Sequence, residues 1–182
     1  MGHPLVLGQL EDYVTGARLD DTLDERLRQQ LGHLLLDELG YRRTDLQLRR
    51  ELTVDTGRHG TTCRVDFVIS VDDRVLMVMR YAPGALVVRE RPTLAVARLL
   101  EPYVVLRAVV TNGRDARVLD GASGKVVGTG LEAIPSREQL ASSCSAAPSL
   151  ELTEKRRAAE ARILVAFDAL DDGCNCGPLL EH

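Results

Sequence analysis

Leucines 23, 27, 31, 34, 35 and 39 recur at helical spacing and mark one apolar stripe. They predict a helix of about four to five turns. Thr22-Leu23-Asp24-Glu25 is a capping box at its start, in which the Thr22 hydroxyl accepts from the Glu25 N–H and the Glu25 carboxylate returns the bond. Gly40 suits its end. Ahead of it, residues 1–20 read as an N-terminal arm with a short helix around Leu10–Val14. After it, DLQLRRELT (45–53) reads as a strand. From Arg64 to Gly84 the chain reads as a hairpin around an acidic turn: Cys63, Val65, Phe67 and Ile69 alternate with Arg64, Asp66, Val68 and Ser70, and a second strand runs from Arg74 to Arg80. A loop of Val71, Asp72 and Asp73 pairs Ser70 with Arg74 and sets Asp66 opposite Val78, so that Asp66, Val78 and Arg80 share one face. A two-residue loop would send Asp66 to the other face.

Pro92 suits the first turn of a helix that Pro102 stops. The run VVLRAVV (104–110) has the composition of a strand covered on both faces, reached from the helix by a parallel crossover. Arg107 inside it calls for an acidic partner, expected on a covering helix. Asn112-Gly113 marks a turn. Ala116–Leu119 and Lys125–Val127 read as a further hairpin. Ser136-Arg137-Glu138-Gln139 is a second capping box. A last helix over Thr153–Leu170 carries Ala159, Ile163, Ala166, Phe167 and Leu170 on one face. The order predicts an α/β protein, a three-layer α/β/α sandwich around a mixed central sheet. Its expected parts are the arm (1–20), a core (21–141), a linker (142–152), and a C-terminal helix with a cysteine-containing tail (153–179). Residues 180–182 read as a purification-tag remnant.

Composition narrows the function. With 45% hydrophobic and 27% charged residues, the 182-residue chain reads as one soluble domain with a sizeable core. Aromatics make up only 3% and Trp is absent, which argues against a stacking platform for single strands. The net charge of −4 gives no global field for nucleic acid, so any DNA contact needs a local patch. Arg42, Arg43, Arg49 and Arg50 form one candidate patch, a solvated face being the commoner outcome of such a run. No apolar run is long enough to cross a membrane and no export signal is visible, so a cytoplasmic setting with reduced cysteines is expected. Cys63 reads as core. Cys174 and Cys176, with Cys144 upstream, raise a soft-metal site, but Cys-x-Cys is not the usual zinc or iron–sulfur spacing, and free thiols are favoured. His3, His33 and His59 show no mutual ligand spacing. Neither a phosphate-binding Walker loop nor a nucleophile elbow is present.

Several stretches, in order, carry a family resemblance. Glu25-Arg26-Leu27-Arg28 is followed by Leu39-Gly40-Tyr41, then by Arg64-Val65-Asp66-Phe67-Val68-Ile69, Val110-Thr111-Asn112-Gly113 and Ile134-Pro135-Ser136. Together they resemble the N-terminal domain of type I restriction enzyme R subunits, in its stand-alone form, within the PD-(D/E)xK nuclease superfamily. The resemblance implies a restriction-endonuclease-like fold and a site where Asp and Glu bind Mg²⁺ and a Lys two residues beyond the Glu activates a water. On that pattern Asp66 is the metal ligand. The Glu-x-Lys position reads Val78-Met79-Arg80. A valine cannot ligate, and Arg80 cannot give up its proton, though it can steady a phosphate. The Gln and Tyr expected on the following helix fall near Thr93 and Ala97. Glu25, Glu51 or Glu90 could supply a replacement carboxylate. Each also has a plain reading, as a cap, a solvated strand residue and a surface charge respectively, and Asp66 itself could simply pair with Arg80 or Arg64. The expected function is therefore a DNA-associated nuclease-fold domain with a degenerate metal site. The alternatives are an active Mg²⁺-dependent endonuclease with a relocated acid, or a protein-interaction domain with no nucleic-acid role.

Overall fold

The computed structural model describes residues 5–57, 59–146 and 150–172. Two short strands, β1 (Gln9–Glu11) and β2 (Arg18–Asp20), pair antiparallel in the arm. The short helix expected there is absent because Asp12 builds a turn instead. Its Oδ1 accepts from the N–H groups of Val14 and Thr15, and Gly16 takes φ +72° to bring Ala17 back. Helix α1 (Leu23–His33) follows and continues as one wide π turn over Leu34–Glu38. The main sheet has six strands in sequential order: β3 (Leu46–Asp55), β4 (Gly60–Val71), β5 (Arg74–Tyr81), β6 (Arg107–Thr111), β7 (Ala116–Asp120) and β8 (Val126–Thr129). Only β5 and β6 run parallel, joined through α2 (Val87–Leu99); all other neighbours are antiparallel. Two further helices, α3 (Arg137–Ala146) and α4 (Glu154–Asp172), complete the chain.

The helices cover both sheet faces. Leu31 and Leu35, from α1 and its π turn, and Leu140 of α3 bury Phe67, Met77, Met79 and Val109 on one side. On the other, Ala95, Val96 and Leu99 of α2 and Ala161 and Leu164 of α4 bury Val68, Val78, Ala108 and Val110. This is the expected three-layer α/β/α arrangement around a mixed sheet. Among the described residues no helix is long and apolar enough to cross a membrane.

The β4–β5 hairpin departs from the expected register twice. Val71 pairs with Arg74, so the loop is the two residues Asp72 and Asp73, both left-handed (φ 51° and 60°) as a tight hairpin turn requires. A bulge then follows: Ile69 pairs with Met77 but Ser70 with Val75, leaving Leu76 as the extra residue. The short loop and the bulge shift the pairing by one residue each. Together they restore the side-chain phase that the three-residue loop would have given. Val78 lies opposite Val68 and Met79 opposite Phe67, which puts Arg80, not Val78, level with Asp66.

A second irregularity lies between β3 and β4. The pairing runs Leu48–Phe67 and then Arg50–Val65, skipping Arg49 and Asp66. Arg49 has φ +54°, rare for a residue with a Cβ. Beyond this point the faces exchange. Leu46, Leu48, Phe67 and Ile69 pack under α1, whereas Leu52, Val54, Cys63 and Val65 pack under α2 and α4. The single apolar face expected for β4 is thus two half-faces that meet at Asp66.

Other boundaries moved for local reasons. Helix α2 starts at Val87, so Pro92 lies inside it rather than in its first turn. Only Arg107–Thr111 of the long apolar run is strand; Val104 and Val105 donate instead to Leu150 O and Ala97 O. Helix α3 runs to Ala146, into the stretch expected as linker. In α4 the buried stripe is Glu160, Ala161 and Leu164, while Ala166 is exposed. Cys63 is buried in the core as expected; Cys174 and Cys176, like His3, lie outside the described residues.

Candidate functional site

The break in the β3–β4 ladder frees Asp66 from strand pairing and turns it toward α1. Its Oδ1 accepts from Arg28 Nε at 2.6 Å and its Oδ2 from the backbone N–H of Tyr81 at 2.7 Å. The carboxylate therefore replaces the ladder bond that β4 would have offered to Tyr81. It is only 6% exposed. Helix α1 supplies the next members. Arg28 lies one turn beyond Glu25, with its Nη1 3.6 Å from Glu25 Oε2. Glu25 Oε1 accepts from Arg49 Nη2 at 2.6 Å and from Gln29 Nε2 at 2.9 Å. Arg49 Nη1 reaches Asp12 Oδ2 in the arm at 2.7 Å. The result is a line of alternating charge, Asp12, Arg49, Glu25, Arg28 and Asp66, in which each guanidinium bridges two acids. Asp12, Glu25 and Asp66 are buried; the side chains of Arg28 and Arg49 are 20% and 21% exposed.

This line explains the local backbone. A left-handed arginine costs roughly 1 kcal/mol, and two charge-assisted bonds to buried carboxylates offset it. Burial alone would raise the Asp12 carboxyl, yet the Arg49 guanidinium and the N–H groups of Thr15 and Val14 hold it below its ordinary value. Burial would lower Arg49, and Asp12 and Glu25 together hold it above its usual range. Tyr81 closes the inner end. Its hydroxyl donates to Asp24 Oδ1 at 2.9 Å, and Arg28 lies over its ring at 4.9 Å. Burial, then the Asp24 bond, push its phenol up to about 12.

The structure splits the residues singled out in the sequence. It brings Asp66 and Glu25 together through Arg28. Glu25 does receive the Thr22 cap through its N–H, at 3.1 Å, but its carboxylate goes to Arg49 and the capping box is half-made. Glu51 is exposed on the outer half of the β3–β4 ribbon, opposite Arg64. Glu90 lies 3.7 Å from Arg117. Val78 is wholly buried in apolar contacts. Arg80 opens with Arg89 and Thr93 onto a separate cleft behind Tyr81, Ala82 and Pro83. The partner of Asp66 is thus neither Arg80 nor Arg64.

These residues do not fit a magnesium ion. Mg²⁺ asks for near-octahedral oxygens from carboxylates and water, and both Asp66 oxygens are already committed to N–H donors. Among the described residues no group of His, Cys, Asp and Glu is placed to hold a metal. Chemically the cluster is a closed set of charge pairs, in which Arg28 supplies the positive charge beside Asp66.

Sequence reasoning missed Arg28, Asp12, Tyr81 and the pairing role of Arg49. One signal was available: Arg50 falls in phase with Leu46, Leu48, Leu52 and Val54, a charge on an apolar stripe. That misfit marks the exchange of faces, and Arg50 there reaches Glu101 at 2.6 Å.

No curated protein and no solved structure matches the chain. A family match covers residues 23–135, from the start of α1 to the segment before α3, and leaves the arm outside. The chain belongs to the family of the type I restriction enzyme R protein N terminus (HSDR_N).

Proposed function

We propose that this chain is a restriction-endonuclease-like module that associates with DNA without cutting it, an internal ion pair having taken the place of the metal. The observation that carries this reading is the commitment of both Asp66 oxygens, to Arg28 at 2.6 Å and to Tyr81 N at 2.7 Å. Val78 adds to it, since an aliphatic side chain stands where the superfamily pattern has its second acid. A buried aspartate with no cation beside it would be costly; Arg28 meets that need from within the chain. DNA association rests on family membership and on the cleft of Arg80 and Arg89, two guanidinium groups suited to backbone phosphate.

The test has two arms. Fluorescence anisotropy with a labelled duplex, repeated across salt concentrations, should show binding that weakens steeply with salt and weakens further in Arg80→Ala. Supercoiled plasmid incubated with Mg²⁺ or Mn²⁺ should stay intact. Metal-dependent nicking that disappears in Asp66→Ala would overturn the non-cutting reading and favour an active endonuclease, in which a cation displaces Arg28 between Glu25 and Asp66. Absence of any duplex binding would favour a protein-interaction role.

A further inference from the structure

The arm lies outside the family region and is acidic. Residues 5–21 carry Glu11, Asp12, Asp20 and Asp21 against Arg18 alone. Its contacts with the body are largely polar and fall on arginines. Asp12 holds Arg49 at 2.7 Å. Asp21 holds Arg26 through two bonds, of 2.6 and 2.7 Å. Arg43 Nη1 donates to the carbonyls of Tyr13 and Val14, and its guanidinium stacks over the Tyr13 ring at 5.1 Å. Tyr13 in turn stacks on His33 at 3.6 Å and donates to Asp37. Among the described residues of the arm Val14 is the one buried apolar side chain, and Gly32 makes room for it: a Cβ there would come to 3.3 Å from Val14. The arm thus lies along α1 as a chain of carboxylates and carbonyls, spaced to satisfy guanidinium groups.

We infer that the β1–β2 hairpin is an acidic strap over a latent phosphodiester-binding face formed by Arg26, Arg43 and Arg49. This rests on the DNA-associated reading above and adds a second contact surface, separate from the Arg80 and Arg89 cleft. The chemistry is exchange of like for like. A nucleic-acid backbone offers anionic oxygens at regular spacing, as the strap does, and a polar, half-exposed contact is released more readily than an apolar one. Two of the arginines that the sequence marks as a candidate patch, Arg43 and Arg49, are held by the strap, and a third, Arg50, is held by Glu101.

The experiment uses the full chain with Asp12→Asn and Asp21→Asn combined. Asparagine at 12 keeps the oxygen that receives the Val14 and Thr15 N–H groups, so the turn is retained while the charge on Arg49 is released. Anisotropy with a labelled duplex should show binding about tenfold tighter than wild type, with a salt slope steeper by about two, one for each phosphate gained. Asp120→Asn combined with Glu132→Gln removes the same two negative charges at the far end of the sheet, and should alter affinity less than about twofold. A folded double variant with wild-type affinity and slope would overturn the strap while leaving DNA association standing. Loss of binding in both proteins would overturn both readings. An equal gain in the Asp120→Asn, Glu132→Gln control would reduce the effect to net charge and overturn the strap as well.

Discussion

Two of the ion-pair systems built on buried acids among the described residues differ in kind. On the α2–α4 side, Arg98 is 4% exposed and Glu160 1%. Arg98 Nη1 meets Glu160 Oε1 at 2.8 Å, and its other nitrogens donate to Gly121 O and Ala122 O at 2.9 and 2.8 Å. Next to it, Arg157 donates to the carbonyls of Arg98, Leu99 and Glu101 and so caps the end of α2. This is a bolt: one fully enclosed guanidinium that ties α2, α4 and the β7–β8 turn. On the α1 side the two arginines of the Asp66 line are one-fifth exposed and shared among three acids. The Arg98 guanidinium is closed to water, although the other oxygen of Glu160 also meets the more exposed Arg91 at 2.6 Å. The Asp66 line borders water and ends in an arm that the family region does not include. Burial with carbonyl satisfaction marks a structural pair, whereas a guanidinium one-fifth exposed between acids marks a place where one partner can replace another.

The contrast can be broken most sharply at the bolt. Glu160→Ala strands the enclosed Arg98 and should cost about 3–5 kcal/mol, read as a lower urea midpoint with an unchanged slope; a loss below about 1 kcal/mol would show the bolt to be dispensable. Arg28→Ala should cost less, about 1–2 kcal/mol, because water reaches its side chain and partly solvates Asp66. An equal loss at both sites would erase the distinction. A smaller effect is expected from acid. The Asp12 carboxyl is held below its ordinary value when folded. Its contribution is therefore complete above the unfolded value of about 4 and is lost as pH falls through the lower folded value. Tyr13 belongs to the arm and stacks on His33 of α1, so its NMR signals should lose their folded positions over that acid range before the Phe67 signals do. Simultaneous loss of both would mean that the arm is not a separately released element.

Much of the architecture is written in local pattern. The leucine stripe of α1 from Leu27 onward, both capping hydroxyls, and the strand and turn order follow from spacing and chemistry near in sequence, although Leu23 at the head of the stripe is exposed; at Ser136 and Gln139 the capping box is fully reciprocal. What escaped was decided across the chain. The buried stripe of α4 includes Glu160, which reads as solvent-facing until Arg98 is brought 62 residues through the chain to meet it. Arg107 was expected to find its acid on a covering helix; it finds Asp120 on the neighbouring strand at 2.8 Å. The bulge at Leu76 and the left-handed Arg49 have no signature in an apolar/polar string. Yet together they determine where Asp66 points, and so the candidate site was only half legible. Family residues placed Asp66 and Glu25, but their shared partner Arg28 required the fold.

The decisive measurement is anomalous scattering at the manganese edge from crystals soaked in Mn²⁺, with Arg28→Ala crystals soaked alongside. The wild-type protein should show no manganese peak beside Asp66, with the Arg28 guanidinium still on its carboxylate. A well-occupied ion there, ligated by Asp66 and a second acid in the wild-type protein, would contradict the replacement of the metal by arginine.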